Sequence, residues 1–389
     1  MSPDTRSIVE WIFWISLLVG VYPYLLYPLF ARALGALRRR RVAASAAYLP
    51  RVTVVTAAFN EVAHIEATVR NKLQQDYPAE LLDIVVVSDE STDGTDEVVT
   101  RLAAENGRVR LIRQVPRAGK TSGLNLAVPA TGAEIVVFAD ANSIYQRDAI
   151  RALVRNFADP AVGYVTGRMM YVNPDGSLVG DGCSAYMRYE NQLRQAETGI
   201  GSIVGVDGGV DAVRKSLYRP MRADQLPDFV LPLGVVEQGY RVVYEPAAVL
   251  NEDALTTQGS EYRMRVRVAL RAFWALLDKR ALLNPLRFGL FSWQLWSHKV
   301  MRYLSFIPLA VAAILNWWLW REGVIYQVMA LGQVAAYLLA LLAFVSPGLA
   351  NNPFSRYCYY FALLNWSSAV AFWRFLAGRK QVLWQPRSG

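Results

Sequence analysis

The chain has 389 residues, 53% of them hydrophobic, and a mean hydropathy of +0.19, too apolar for a purely soluble enzyme and long enough for one ordinary domain plus membrane helices. Its formal net charge of +9 comes from 41 Lys+Arg against 32 Asp+Glu, and the basic residues gather beside apolar runs, which favours lipid and anionic substrates over nucleic acid. Its few cysteines and histidines show no metal-ligand spacing; this argues against a structural zinc site, and Cys183 and Cys358 lie in regions too unlike for a disulfide to be expected.

The first predicted element is an apolar run. Residues 11–31 carry no charge and are long enough to cross a hydrocarbon core of ~30 Å. Without a basic start or a small-residue cleavage site, residues 8–31 read as an anchoring helix rather than a signal peptide. Arg38, Arg39, Arg40 and Arg41 follow at once. By the positive-inside rule the N-terminus then faces out and the remainder is cytoplasmic.

Residues 45–272 alternate short β-rich runs with helical stretches. Strands are expected over 51–59, 82–87, 109–113 and 134–139, and helices over 62–74 and 95–104. This is the pattern of an α/β domain with a mostly parallel, Rossmann-like sheet. Ligands of such sheets bind beyond the carboxyl ends of the strands. Asn60 and Glu61, then Ser88, Asp89 and Glu90, then Asp140 and Asn142 occupy those ends, with Gly119, Lys120 and Thr121 between the last two sets. Carboxylates beside such a loop are suitable parts for holding Mg²⁺ or Mn²⁺ against a diphosphate. The loop is not a Walker motif, because the upstream glycine is missing.

Residues 281–298 suit a helix lying in the membrane interface. Within 299–376, three further spans are expected over 303–320, 323–344 and 357–373, membrane or re-entrant. Strict alternation of these spans would place Arg379, Lys380 and Arg387 outside, against the charge rule, unless the last segment is re-entrant or interfacial. The expected spans lack charge near their middles, which argues against a transporter.

Taken together, these motifs resemble glycosyltransferase family 2, which has the GT-A fold. The resemblance runs through residues 54–61 (Val-Val-Thr-Ala-Ala-Phe-Asn-Glu), 87–95 (Val-Ser-Asp-Glu-Ser-Thr-Asp-Gly-Thr), 119–127 (Gly-Lys-Thr-Ser-Gly-Leu-Asn-Leu-Ala) and 138–142 (Phe-Ala-Asp-Ala-Asn). It continues through 208–215 (Gly-Gly-Val-Asp-Ala-Val-Arg-Lys), 227–232 and 239–246. With its flanking helices the chain resembles the cellulose, chitin, hyaluronan and poly-N-acetylglucosamine synthases.

The resemblance implies an inverting, metal-dependent hexosyltransferase of the plasma membrane that extends a glycan from a UDP-sugar. Transfer of one sugar to a lipid carrier and a non-catalytic scaffold are the alternatives. It implies that Glu61 and Asp89 contact ribose and base, that Lys120 lies by the phosphates, and that Asp140 and Asn142 hold the metal. Asp228 would be the general base. The competing reading of Asp228 is a helix N-cap. Gly208 and Gly209, with Arg267, Arg271 and Trp274, would form the acceptor side. Two departures stand out: Asn142 replaces an aspartate of the metal motif, and the Gln-x-x-Arg-Trp motif of processive synthases is missing. Arg267 and Arg271 also suit a helix binding lipid phosphates.

Overall fold

The computed structural model describes residues 3–172, 181–253, 258–346 and 352–381. Arg387 and the side chain of Cys183 lie outside the described residues. Strands β1 (Val52–Ala58), β2 (Leu82–Ser88), β3 (Val109–Arg113) and β4 (Ile135–Asp140) pair in parallel, in the order β3-β2-β1-β4. Val54, Ile84 and Val137 enter one buried layer, and Val55, Val85 and Val136 enter the other. That is the period-two pattern of strands covered on both faces.

The second half of the sheet departs from the parallel expectation. It adds β5 (Ile144–Tyr145), β6 (Val162–Val172), β7 (Asp211–Arg214) and β8 (Arg241–Asp253). β7 runs antiparallel to β4 and β6, β8 runs parallel to β6, and β5 runs antiparallel to β8. The sheet is therefore mixed, because β7 starts at the end where β6 stops and needs no crossover.

The amino-terminal run is bent. Helices α1 (Pro3–Val21) and α2 (Leu26–Arg38) meet at 54°, with Pro23 in the turn, where a residue without an N–H interrupts the helical ladder. Helices α3 (Ile65–Leu73), α4 (Thr95–Glu105), α5 (Lys120–Ala127) and α6 (Ala149–Val154) follow. Then come α7 (Asp181–Ile200), α8 (Pro227–Glu237) and α9 (Gln258–Asp278). α2 rests on α7 so closely that a Cβ on Gly35 would lie 2.5 Å from the Ala196 carbonyl oxygen.

The interfacial helix expected over 281–298 is a series of short pieces. They are α10 (Pro285–Phe288), α11 (Leu290–Leu295), a π turn over Trp296–Val300 and α12 (Met301–Leu304). Pro285 and the positive φ of Gly289 (53°) punctuate them. Next come α13 (Phe306–Trp318) and α14 (Val324–Val345). Among the described residues, α14 is the one helix long and apolar enough by itself to cross a membrane; the α1–α2 pair and the Leu290–Leu304 plus Phe306–Trp318 pair qualify only if each bent pair is one span. Arg6 and Glu322 form an ion pair at 3.0 Å, and Phe13 meets Tyr326 edge-on at 5.5 Å. The start of α1 and the α13–α14 turn thus share one end of the helical layer.

The last expected span, residues 357–373, falls within α15 (Pro353–Leu376). It does not meet the length-and-composition criterion for a span and runs alongside α9. Tyr360 Oη donates to Glu261 Oε2 at 3.3 Å, Phe372 packs on Phe273 at 5.4 Å, and Phe375 packs on Trp274 at 4.7 Å. Past its end, Trp274 Nε1 donates to the Arg379 carbonyl oxygen at 2.9 Å, and Lys380 pairs with Asp224 at 2.5 Å. Residues 379 and 380 therefore lie against the α/β domain.

Candidate active site

Three chain segments bring charge together at the carboxyl ends of the strands. Asp140 ends β4, Lys120 opens α5, and Asp228 occupies the first turn of α8 behind Pro227. Proline at that place keeps the helix start without losing a hydrogen bond. Lys120 Nζ donates to Asp140 Oδ1 at 2.7 Å and lies 3.6 Å from Asp228 Oδ1. Burial works to lower the Lys120 pKa, but Asp140 and Asp228 outweigh it and hold the ammonium above its ordinary value. The cap reading of Asp228 fails, because Leu226 is the N-cap residue and no side chain caps the helix.

Gly208 and Gly209 close the ring. Their φ values are +76° and +73°, a region that side chains with a Cβ rarely enter. A Cβ on Gly208 would lie 3.0 Å from the Asp228 carboxyl, and one on Gly209 would lie 3.2 Å from Asp140 Oδ2. The two glycines therefore let backbone pass beside both carboxylates.

A third carboxyl, Asp211 on β7, is 1% exposed behind this ring. Burial, then the charge of Asp228, pushes it well above the ordinary carboxylate range. Sequence reading quoted its segment without singling it out. Nothing local signals its burial, since it opens a four-residue strand that ends on Arg214.

The other expected residues separate into two groups. Glu61, Asn142, Arg267 and Arg271 line the same cavity of about 970 Å³ as Lys120, Asp140 and Asp228. Asp89 does not line it. Its carboxylate accepts the backbone N–H groups of Ala118 (2.8 Å) and Gly119 (3.0 Å) and the Gln114 amide, so it shapes the loop that presents Lys120. Arg117 lies on the Phe59 ring, 3.4 Å from its centroid, above the same loop. Arg271 donates to the Gln225 carbonyl oxygen at 2.7 Å, beside α8. Trp274 faces the chain segment after α15 instead of the cavity.

Asp140 and Asn142 offer a carboxylate and an amide oxygen on one cavity wall, with the Lys120 ammonium already resting on Asp140. Among the described residues no group of three or more His, Cys, Asp or Glu side chains could hold an ion. A hard cation that brings phosphate oxygens of its own needs only one or two protein ligands. The donor set thus fits a metal bound together with a diphosphate, and does not make a closed protein cage.

Residues 53–214 match the model of glycosyl transferase family 2. That stretch is the part of the chain that resembles the family. The chain is 28% identical over 267 residues to poly-beta-1,6-N-acetyl-D-glucosamine synthase of Staphylococcus aureus, a stretch covering 65% of this chain and 64% of that one. It is 27% identical over 250 residues to beta-monoglucosyldiacylglycerol synthase of Nostoc sp., covering 62% and 53%. The aligned stretch is less than two thirds of either relative. Among solved structures, a Pyrobaculum calidifontis mannosyltransferase in complex with GDP-Man and Mn²⁺ superposes with a TM-score of 0.74 at 25% identity, covering 95% of this chain and 99% of that one. The architecture is GT-A-like: a mixed sheet with its charged ring at the strand ends.

Proposed function

We propose that the chain is a membrane-embedded inverting glycosyltransferase. It takes a sugar from a nucleotide-diphosphate sugar, read from the sequence as a UDP-sugar, on the cytoplasmic face. The observation that carries this reading is the ring of Lys120, Asp140 and Asp228 pressed against the Gly208–Gly209 backbone. Residues 45–272 are the transferase unit, and the flanking helices hold it at the bilayer.

In this reading the Asp228 carboxylate takes the proton of the acceptor hydroxyl as that oxygen attacks the anomeric carbon. The carboxylate is 30% exposed into the cavity, so it is reachable, and a positioned carboxylate is a competent base. Lys120 serves both ends of the reaction. It lies 3.6 Å from Asp228 Oδ1, and its charge favours the departing diphosphate. Glu61 orients the nucleotide from the cavity wall, while Asp89 acts through the loop that carries Lys120. Asp140 and Asn142 would hold a divalent ion, Mg²⁺ or Mn²⁺, whose contribution when bound is to screen the charge of the diphosphate.

The acceptor is a glycan or a lipid-linked molecule. Polysaccharide extension and single transfer to a lipid carrier share this chemistry. Trp274 favours the second, since it is committed to the chain after α15 and leaves the acceptor side without an aromatic platform from α9 at that position. The deciding experiment incubates the full chain in detergent with Mg²⁺ or Mn²⁺ and a panel of UDP-sugars and GDP-mannose, and measures nucleotide release. Release with one donor is expected. No release with any donor, in protein that binds nucleotide and stays folded, returns the scaffold reading.

A further inference from the structure

The separation of Lys120 from Asp228 is not set by the two side chains themselves. Lys120 donates to Asp140 at 2.7 Å, whereas Asp228 Oδ1 stays at 3.6 Å, beyond hydrogen-bond length. The start of α8 does little to fix the carboxylate either. Leu226 supplies no side-chain cap, and Pro227 has no N–H to donate. Placement of the base therefore falls to the backbone just ahead of α8, residues 221–226.

That segment is held by the helix that carries Lys120. Thr121 and Asn125 stand four residues apart on α5, hence on one face of it, and both reach the segment. Asn125 binds Met221 twice: its Nδ2 donates to the carbonyl oxygen at 2.6 Å, and its Oδ1 accepts the backbone N–H at 3.1 Å. Thr121, 2% exposed, donates its hydroxyl to the Gln225 carbonyl oxygen at 2.9 Å. Arg271 of α9 donates to that same oxygen at 2.7 Å, as the two lone pairs of a carbonyl allow. The Gln225 side chain is fixed as well. Its Nε2 donates to Asp278 Oδ2 at 2.9 Å, and its Oε1 accepts the Arg222 N–H at 2.9 Å. One carbonyl thus joins α5, at the residue after Lys120, to α9 and to the chain just ahead of Asp228.

We infer that Thr121 is a positioning residue for sugar transfer: through the Gln225 carbonyl it sets Asp228 beside Lys120 while keeping the two from closing into a direct hydrogen bond. This rests on the transferase reading, in which Asp228 is the base. A carboxylate that slid onto the ammonium would be a weaker base, and one that swung away would lose reach to the acceptor hydroxyl. Misplacement on the order of 1 Å can cost about 10²-fold in rate. Asn125 grips the start of the segment, and Thr121 acts at its end, next to the base.

The test compares Thr121→Val, which keeps the shape and removes the donor, with Thr121→Ser, which keeps the donor, in the detergent-solubilised full chain. Arg271 still holds the Gln225 carbonyl in both, and a melting curve together with nucleotide diphosphate binding reports that each is folded. Thr121→Val is expected to lower the kcat of sugar transfer by roughly tenfold or more, with the donor KM within about twofold of wild type. Thr121→Ser should recover most of that rate. Amide hydrogen exchange on the same samples should quicken across residues 221–230 in Thr121→Val and not in Thr121→Ser. An unchanged kcat in Thr121→Val overturns the proposal. So does an equal loss in Thr121→Ser, which would mark a packing role, or a raised donor KM at unchanged kcat, which would place Thr121 in donor binding. Absence of transfer by the wild-type chain counts against the transferase reading instead, and unchanged exchange in Thr121→Val overturns the positioning contact whether or not a donor is found.

Discussion

At the residue scale, the chemistry depends on what Lys120 holds apart. Two carboxylates share one ammonium, and each reacts differently to substitution. In the proposed mechanism Asp228→Asn removes the proton acceptor and retains shape, so sugar transfer is expected to fall by about 10²–10⁴-fold, the usual weight of a general base. Donor affinity, measured on the same preparation by nucleotide-sugar titration, should remain. Retained turnover would exclude Asp228 from the mechanism. Asn142→Asp tests the neighbouring wall. Adding a carboxylate two residues from Asp140 should tighten Mn²⁺ binding several-fold in the presence of nucleotide diphosphate, because a hard cation gains a charged oxygen ligand. Unchanged or weaker metal affinity by calorimetry would show that residue 142 does not face the ion. Asp140, Asp228 and Lys120 were legible because each falls in a recognisable motif at a strand or helix end. Asp211 was not, since nothing local marks a buried acid in a short strand. Its meaning comes from residues far along the chain.

At the scale of elements, β-branched runs made β1, β2 and β4 legible, because burial on both faces leaves a continuous apolar signature. Helix α15 carries a cavity-lining face that apolar content does not reveal. Counting apolar residues does not register that Arg356, Tyr360, Leu364 and Ser367 recur every three or four positions and line one cavity, the spacing of a single helix face. The break at Pro23 was missed in the same way, since absence of charge says nothing of direction. The contact of α2 with α7 gives an element-scale prediction. Gly35 faces the Ala196 carbonyl and packs against Gly199. Gly35→Leu should therefore cost about 1–3 kcal/mol through overpacking, read as a lowered melting temperature. A melting curve identical to wild type would show that the two helices are not held together at this point.

For the whole molecule, the helical layer and the sheet domain fix which ends lie together. The beginning of α1 meets the α13–α14 turn, and the residues after α15 rest on Asp224 and Trp274. If α1, α13 and α14 each cross the bilayer, the chain's N-terminus lies outside and Arg379 and Lys380 lie with the catalytic domain, in accord with the charge rule. A fluorescent protein fused to the carboxyl end should then mature inside bacterial cells, and an alkaline phosphatase fusion at the same point should be inactive. The reverse pattern would require α15 to cross.

In the proposed function that arrangement would also let α15 decide which nucleophile reaches the sugar. The helix walls one side of the cavity from Arg356 to Ser368, yet the ring of Asp140, Lys120 and Asp228 is built entirely from the preceding domain. A chain ending at residue 346 would retain every group needed to break the donor bond while admitting bulk water beside it. Such a truncation is expected to release nucleotide and free sugar in equal amounts, with little glycoside formed. If its product ratio equals that of the intact chain, α15 plays no part in excluding water. In the proposed function this last helix would govern fidelity of coupling: whether each donor consumed yields a bond or is lost to hydrolysis.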